Sequence, residues 1–283
     1  MPNELRYAPG WPGIEPRWTT SAKSAVGTAF GEGSRVWFTT SHGILNEIYY
    51  PEVDSACLRD AGLLVGADGG FRSEEKRHCL HEVEWLAPGI PAFRLTNTCV
   101  EGRYVVQKRI CCSPDYDVVL QQVHFDAKQG TLEDYELLFV LASHLGNMGA
   151  GNTAWLGISK GDPVLFAQRD GLALAAICDV GFRERTVGFV GPHDAWSDVM
   201  ANGRLTTTYD RAENGNVTLA GTIDLAACGG HFTIAIGLGP DPNTAVTHAR
   251  AALHDPYDTT ERRYAESWGA WQKALVALDE PAS

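Results

Sequence analysis

Hydrolysis of a glycosidic bond needs two carboxylates that flank it, and Glu82 and Glu84 are the first candidates. On a strand both point the same way, roughly 7 Å apart by strand rise, a separation that suits an inverting pair. Charged side chains mostly stay in water. With Val83 and Trp85 turned inward between them, a solvated strand face is the expected reading, and the run Glu74, Glu75, Lys76, Arg77 reads as a mixed-charge edge or loop. Gly149-Ala-Gly151-Asn-Thr-Ala154 fits the dinucleotide fingerprint G-x-G-x-x-A, with Asp170 downstream. That fingerprint works only if a helix follows to aim its amides at pyrophosphate, and Gly157, Gly161 and Pro163 oppose one. His78, Cys79 and His81 are near neighbours, yet on a strand the two histidines face opposite sides, and no second ligand cluster follows at a zinc-like spacing. Cys111 and Cys112 diverge for the same reason. There is no G-x-S-x-G elbow, and Asn216-Val-Thr218 is a glycosylation triplet that matters only in a eukaryotic secretory pathway. No metal or cofactor is expected.

Two segments stand apart from plain scaffold. Ser41-His-Gly-Ile-Leu-Asn-Glu-Ile-Tyr-Tyr-Pro51 sets Asn46 and Glu47 beside Tyr49 and Tyr50 and ends at a proline. Ser143-His-Leu-Gly-Asn-Met-Gly-Ala-Gly-Asn152 is a polar, glycine-rich loop that carries His144, Asn147 and Asn152. Aromatic rings with amides nearby suit stacking on, and hydrogen bonding to, a sugar or a partner domain. Tight-turn chemistry around core tyrosines is the competing reading.

The elements that must hold these residues are mostly strands. From Arg35 onward, short alternating or β-branched apolar runs are broken by Gly, Pro, Asn and Asp about every ten residues. Strands are expected at Arg35–Thr40, Asn46–Tyr50, Leu58–Val65, His81–Leu86, Ala92–Val100, Tyr104–Cys112, Val118–Phe125, Tyr135–Leu141, Val164–Gln168, Leu172–Cys178, Thr186–Val190, Leu205–Tyr209, Asn216–Ala227 and His231–Leu238. In Asn216–Ala227, Val217, Leu219, Ile223 and Leu225 share a core face while Thr218, Thr222 and Asp224 take a wet one, and the last strand repeats the pattern. So many strands exceed one open sheet, and two stacked sheets follow. Residues 1–24, rich in Pro, Gly and Trp, read as an arm lying across another element.

After Pro240 the period lengthens to that of a helix. Ala245, Val246, Ala249, Ala252 and Leu253 form one stripe. A second helix begins near Asp258, which with Glu261 makes a capping-box-like start, and Tyr264, Trp268, Trp271, Leu275 and Leu278 form a heptad-spaced seam.

The 283 residues, 44% hydrophobic with eight Trp, carry ample material for a core. A formal net charge of −12 with no basic window argues against nucleic acid and anionic membranes as partners. No apolar run reaches the roughly 18 residues of a membrane helix, and the start MPNELRYAPGWPG lacks secretory-signal regions. A soluble, cytoplasmic protein is expected, or a secreted one if a leader has been removed. Seven cysteines suit buried thiols better than a disulfide framework.

Ala8-Pro-Gly with Pro12-Gly-Ile-Glu-Pro-Arg-Trp18, then RVWFTTSHGILNEIYYPEVDSACLRDAGLLV, SEEKRHCLHEVEWLAPGIPAFRLTNTC and SHLGNMGAGN, resemble the amino-terminal domain of bacterial glucoamylases and glucodextranases, members of glycoside hydrolase family 15. One departure is Ser143, where Pro is expected before the histidine. The resemblance implies an all-β fold, a large antiparallel β-supersandwich of the galactose-mutarotase-like kind over residues 1–240, with residues 241–283 a helical segment leading into a linker. It implies as partner a C-terminal (α/α)6 catalytic domain of the same polypeptide, acting on α-glucan or maltooligosaccharide from the non-reducing end, and no catalytic residue within this chain. Asn46, Glu47, Tyr49, Tyr50, His144, Asn147 and Asn152 then become substrate-facing or domain-interface residues. Two alternatives are a stand-alone carbohydrate-binding module, with Tyr49, Tyr50, Trp11 or Trp155 stacking on sugar, and a sugar epimerase in which His42, His144 and Glu47 converge.

Overall fold

The structure, a computed structural model, describes residues 5–20 and 22–275. Its strands form two antiparallel sheets. The eight-stranded sheet holds β1 (Ala25–Thr28), β2 (Trp37–Ser41), β3 (Ile44–Tyr49), β4 (Ala56–Ala67), β5 (Phe71–Glu74), β10 (Tyr135–Ser143), β14 (Arg185–Phe189) and β16 (Val217–Ile223). They run in the order β1-β2-β3-β4-β10-β16-β14, with β5 paired to β4. The nine-stranded sheet holds β6 (Cys79–Ala87), β7 (Ile90–Cys99), β8 (Tyr104–Cys112), β9 (Val118–Ala127), β11 (Asn152–Ser159), β12 (Asp162–Arg169), β13 (Leu172–Cys178), β15 (Arg211–Gly215) and β17 (His231–Gly239), in the order β15-β11-β12-β13-β17-β9-β8-β7-β6.

The core lies between the sheets. Phe38 of β2 meets Phe93 of β7 edge-on at 6.2 Å, and Tyr104 of β8 packs near both Phe71 of β5 and Tyr135 of β10. One polar cluster is sealed inside. Lys108 of β8 and Glu75 are both wholly buried and 2.6 Å apart. Glu75 belongs to the one-turn helix α1 (Glu75–His78). Its carboxylate also accepts from the Leu63 amide at 3.1 Å and from the Asn97 side chain, so one residue ties β4 to β7 and β8. The run Glu74–Arg77 is therefore not wholly an exposed edge, because its second glutamate turns inward to a lysine on the other sheet. Burial pulls the Lys108 ammonium below its ordinary range.

The expected wet faces of the last two long strands are covered. Every residue of β16 is buried, Thr218 and Thr222 included. Outside it Ala220, Leu138 and Leu64 pack against Ala195 and Val199 of α2 (Ala195–Asn202). The strand also ends at Ile223, since the Asp224 side chain accepts from the Ala227 amide and starts the short helix α3 (Leu225–Cys228). The outer face of β17 is covered by α4 (Pro242–Ala252), whose Ala245 and Ala249 lie against Gly237 and bury the expected alanine-rich stripe.

Leu205–Tyr209 is not a strand. The Asp198 carboxylate takes the Thr206 and Thr207 amides at 2.7 and 2.9 Å, which removes them from any ladder. The last helix, α5 (Tyr257–Ala274), starts at Pro256 with no side-chain cap. Asp258 and Glu261 instead share Arg109 of β8. Tyr264 is fully buried, with its hydroxyl set between the Thr28 and Pro91 carbonyls at 2.6 and 2.8 Å, where its one proton serves them. Leu278 of the expected seam lies outside the described residues. All seven cysteines are free and six of them are buried. Among the described residues no helix is long and apolar enough to cross a membrane.

Candidate functional site

The two unusual segments meet at one end of the eight-stranded sheet. After Tyr50 the chain turns through Pro51 into β4, and the loop that follows β10 packs on that turn. The His144 amide donates to Cys57 O at 3.0 Å, and Asn147 brackets the turn by accepting from the Ala56 amide at 2.9 Å and donating to Asp54 O at 2.8 Å. Asn147 and Gly146 have φ of 65° and 64°, the left-handed region that an asparagine tolerates and a glycine favours.

Asn152 is the loop's internal clamp. Its side-chain oxygen accepts from Ser143 Oγ and the Leu145 amide, both at 3.1 Å, and its nitrogen donates to Met148 O at 2.7 Å and Gly149 O at 3.0 Å. Ser143, the departure from the family pattern, thus supplies one of the bonds that proline could not. Asn152 opens β11, so the G-x-G-x-x-A stretch runs from a loop into a strand and has no helix to receive a phosphate.

The arm crosses this site. Ala8 donates to Arg211 O, Asn216 to Pro12 O and Ile14 to Val190 O, all near 2.8 to 2.9 Å. The arm then lays Trp18 edge-on over His144 at 4.7 Å. His144 is 1% exposed and lies beside the Asn216 side chain. Burial, with the Arg59 charge adding to it, pulls its imidazole down to about 4, so it is neutral near pH 7. Asn46 is the extra residue of a β-bulge, since Thr39 pairs with Glu47 while Thr40 pairs with Leu45. Its side-chain oxygen accepts from Thr19 of the arm at 2.5 Å.

Glu47 sits 2.6 Å from the Lys23 ammonium, and the Tyr49 hydroxyl donates to it. Burial and that carboxylate together push the Tyr49 phenol up and keep it protonated. Tyr50 points elsewhere. It is 3% exposed, lies beneath Arg35 and receives its hydrogen bond at 2.8 Å, while Arg35 also pairs with Asp117.

Asn46, Glu47, Tyr49 and His144 therefore gather under the arm, Asn147 and Asn152 shape the adjoining loop, and Tyr50 is buried away from them. Trp18, Thr19 and Lys23 complete the cluster and were not singled out by sequence. The available signal was the aromatic and basic content of the arm, which says that it packs but not where. Beside the cluster is a cleft of ≈ 460 Å³ walled by Trp18, Arg59, Asp60, Lys76 and Trp196. Asp60 pairs with both Arg59 and Lys76, at 3.1 and 3.2 Å.

The arrangement can bind and position, and the carboxylates that line the cleft are each engaged: Asp60 by Arg59 and Lys76, Glu74 by Arg77 and the Trp196 indole, and Asp194 by the Gly191 and Ser197 amides. Glu82 and Glu84 are exposed on β6, an edge strand that their charge protects from pairing with other chains. Among the described residues no hydrogen bond or ion pair joins any two of His42, Glu47 and His144: Glu47 is held by Lys23 and Tyr49, and His144 lies under Trp18. His42 instead packs edge-on with His81, whose ring is held by Asn97. The sugar-stacking set is not assembled either. Tyr50 is buried, and Trp155 lies between Phe166, stacked at 5.2 Å, and the Arg211 guanidinium at 5.6 Å.

The family model for glucodextranase, domain N, matches residues 8–273. A glucoamylase of Clostridium sp. (strain G0005) is 28% identical over 264 residues, covering 93% of this chain and 37% of the clostridial protein. A bacterial glucoamylase solved in complex with acarbose superposes with a TM-score of 0.93 at 27% identity, over 96% of this chain and 40% of the other. A family GH92 glycosyl hydrolase shares the fold at a TM-score of 0.52 and 10% identity, over 87% of this chain and 34% of its own. The chain thus spans well under half the length of the glucoamylases it matches.

Proposed function

Because the chain belongs to the glucodextranase domain N family, we propose that it is the non-catalytic amino-terminal domain of a glucoamylase-type glycoside hydrolase, bracing a catalytic domain of the same polypeptide that cleaves α-glucosidic bonds of starch-like glucans. The observation that carries this reading is the superposition of nearly the whole chain on a part of a glucoamylase. The site chemistry agrees with it, since buried Glu47 and Glu75 are held by lysines, Asp117 by Arg35 and Asp194 by backbone amides, and the exposed pair lies on an open strand. The cluster under the arm, with Asn46, Glu47, Tyr49 and His144, is structural in this reading and stiffens the surface next to the cleft.

The test is glucose release from maltooligosaccharides by the purified 283-residue chain and by the polypeptide in which it is continued. The continued polypeptide is expected to release glucose and the chain alone to release none. A chain that releases glucose by itself, or an open reading frame that closes at Ser283, would sink the proposal.

A further inference from the structure

α5 uses only half of its aromatic seam on the sandwich. Tyr264 is buried, and Trp268 is anchored by its indole nitrogen, which donates to Thr28 O at 3.0 Å. One turn further on Trp271 turns outward, where it meets Trp268 at 5.6 Å and Phe30 at 5.9 Å. The same surface continues over the edge of the eight-stranded sheet. Thr28, which holds Trp268, pairs across the ladder with Trp37, and Val26 lies two residues before it on the same face. From Trp37 to Leu275, with Val26, Phe30 and Trp271 between, these side chains are 36% to 55% exposed. Exposed apolar side chains grouped around one helix and one sheet edge mark an interaction site, and rigid aromatic anchors are what protein interfaces favour.

We propose that Val26, Phe30, Trp37, Trp268, Trp271 and Leu275 form the seat for the catalytic portion of the glucoamylase-type polypeptide, an assignment that rests on the function proposed above. Two observations point to that occupant. The domain N match ends at residue 273, inside α5, so the rest of such a polypeptide is tethered to the element that carries the patch. The matched region is only 37% of the clostridial glucoamylase and 40% of the solved one, so the tethered remainder is the larger body. Tethering gives it an effective concentration that a free partner would lack. The anchors are also set in advance, because Tyr264 and Trp268 bind the same carbonyl of β1 and hold the helix to the sheet edge.

The experiment is covalent labelling of tryptophan, read residue by residue, on the 283-residue chain and on the continued polypeptide, with glucose release assayed in the same preparations. Trp37 and Trp271 are expected to label at least five-fold more slowly in the continued polypeptide. Trp11, hydrogen-bonded to Asn214 at the far edge of the nine-stranded sheet, is expected to label equally in both. Within the continued polypeptide Trp271→Ser is expected to raise labelling of Trp37 at least three-fold, a readout that does not depend on the shorter chain. Equal labelling of Trp37 and Trp271 in the two proteins, with glucose still released, overturns the seat and leaves the function standing. Protection without glucose release overturns the function and, with it, the assignment of the occupant as a catalytic portion. A dimer of the 283-residue chain that protects the same tryptophans assigns the face to a second copy and overturns the proposal.

Discussion

His144 makes acid stability a direct measure of the contact between arm and loop. The folded protein holds its imidazole near 4, against an ordinary value of 6.5, because the ring is sealed under Trp18 and close to Arg59. A histidine depressed in the fold contributes stability that is complete above its unfolded value and lost as pH falls toward the folded one, because the unfolded chain takes up a proton that the native state refuses. The window is therefore pH 6.5 down to about 4. At about 1.4 kcal/mol per pH unit of displacement, the loss reaches about 2.5 kcal/mol by pH 4.5. His144→Phe keeps a ring against Trp18 and removes the titration. Urea unfolding followed by tryptophan fluorescence, at pH 7.5 and pH 4.5 for both proteins, isolates the effect from every other titrating group. The wild type is expected to lose about 2.5 kcal/mol more than the variant across that interval. A stability difference between the two that stays constant within about 0.5 kcal/mol would refute the argument.

Three further outcomes follow from groups described above. Lys108→Met leaves Glu75 sealed between the sheets without its cation and is expected to cost about 3–5 kcal/mol in urea unfolding, whereas adding Glu75→Gln should recover most of that loss; equal losses in the single and double variants would mean that the pair is not coupled. Asn152→Ala strands the Leu145 amide and the Ser143 hydroxyl and is expected to cost about 3 kcal/mol, with the same unfolding assay as the check. Burial raises the Cys57 thiol to about 11 and the Cys79 thiol to about 12. At pH 8 in the native protein at most Cys228, the half-buried one of the seven, should react with a disulfide reagent, and all seven should react in urea.

The strands were legible where apolar residues alternate with polar ones over seven or more positions. His231–Gly239 falls where its alternation puts it, and Leu172–Cys178, an unbroken apolar run of strand length, also falls where expected. Ala25–Thr28, Phe71–Glu74, Asn152–Ser159 and Arg211–Gly215 escaped because they are short, polar or broken by glycine, and their pairing comes from neighbours rather than from their own pattern. Alternation also marks only one covered face. It cannot show that α2 and α4 cover the second, which is why the threonines of β16 read as wet. In the candidate site, the meeting of the two polar segments was foreshadowed by their composition alone. The partners were not. Trp18 reaches His144 and Lys108 reaches Glu75 from distant parts of the chain, and one side of a long-range pair carries no mark of the other. Tyr49 and Tyr50 look equivalent as neighbours, yet strand geometry sends one to the arm and the other to Arg35.

The arm also fixes an order of events. Its first bonds go to Arg211 and Asn216, so the arm, synthesised before either, has no place to rest until most of both sheets has been made and paired. Contacts of such long sequence separation are costly to close and form late. Until then His144 lacks its Trp18 cover, and the cleft beside the eight-stranded sheet lacks the wall that Ile14 and Trp18 supply. Seating of the arm is the closing stitch of the domain, and a chain interrupted before Asn216 would keep its sheets unsealed however well its early strands had paired.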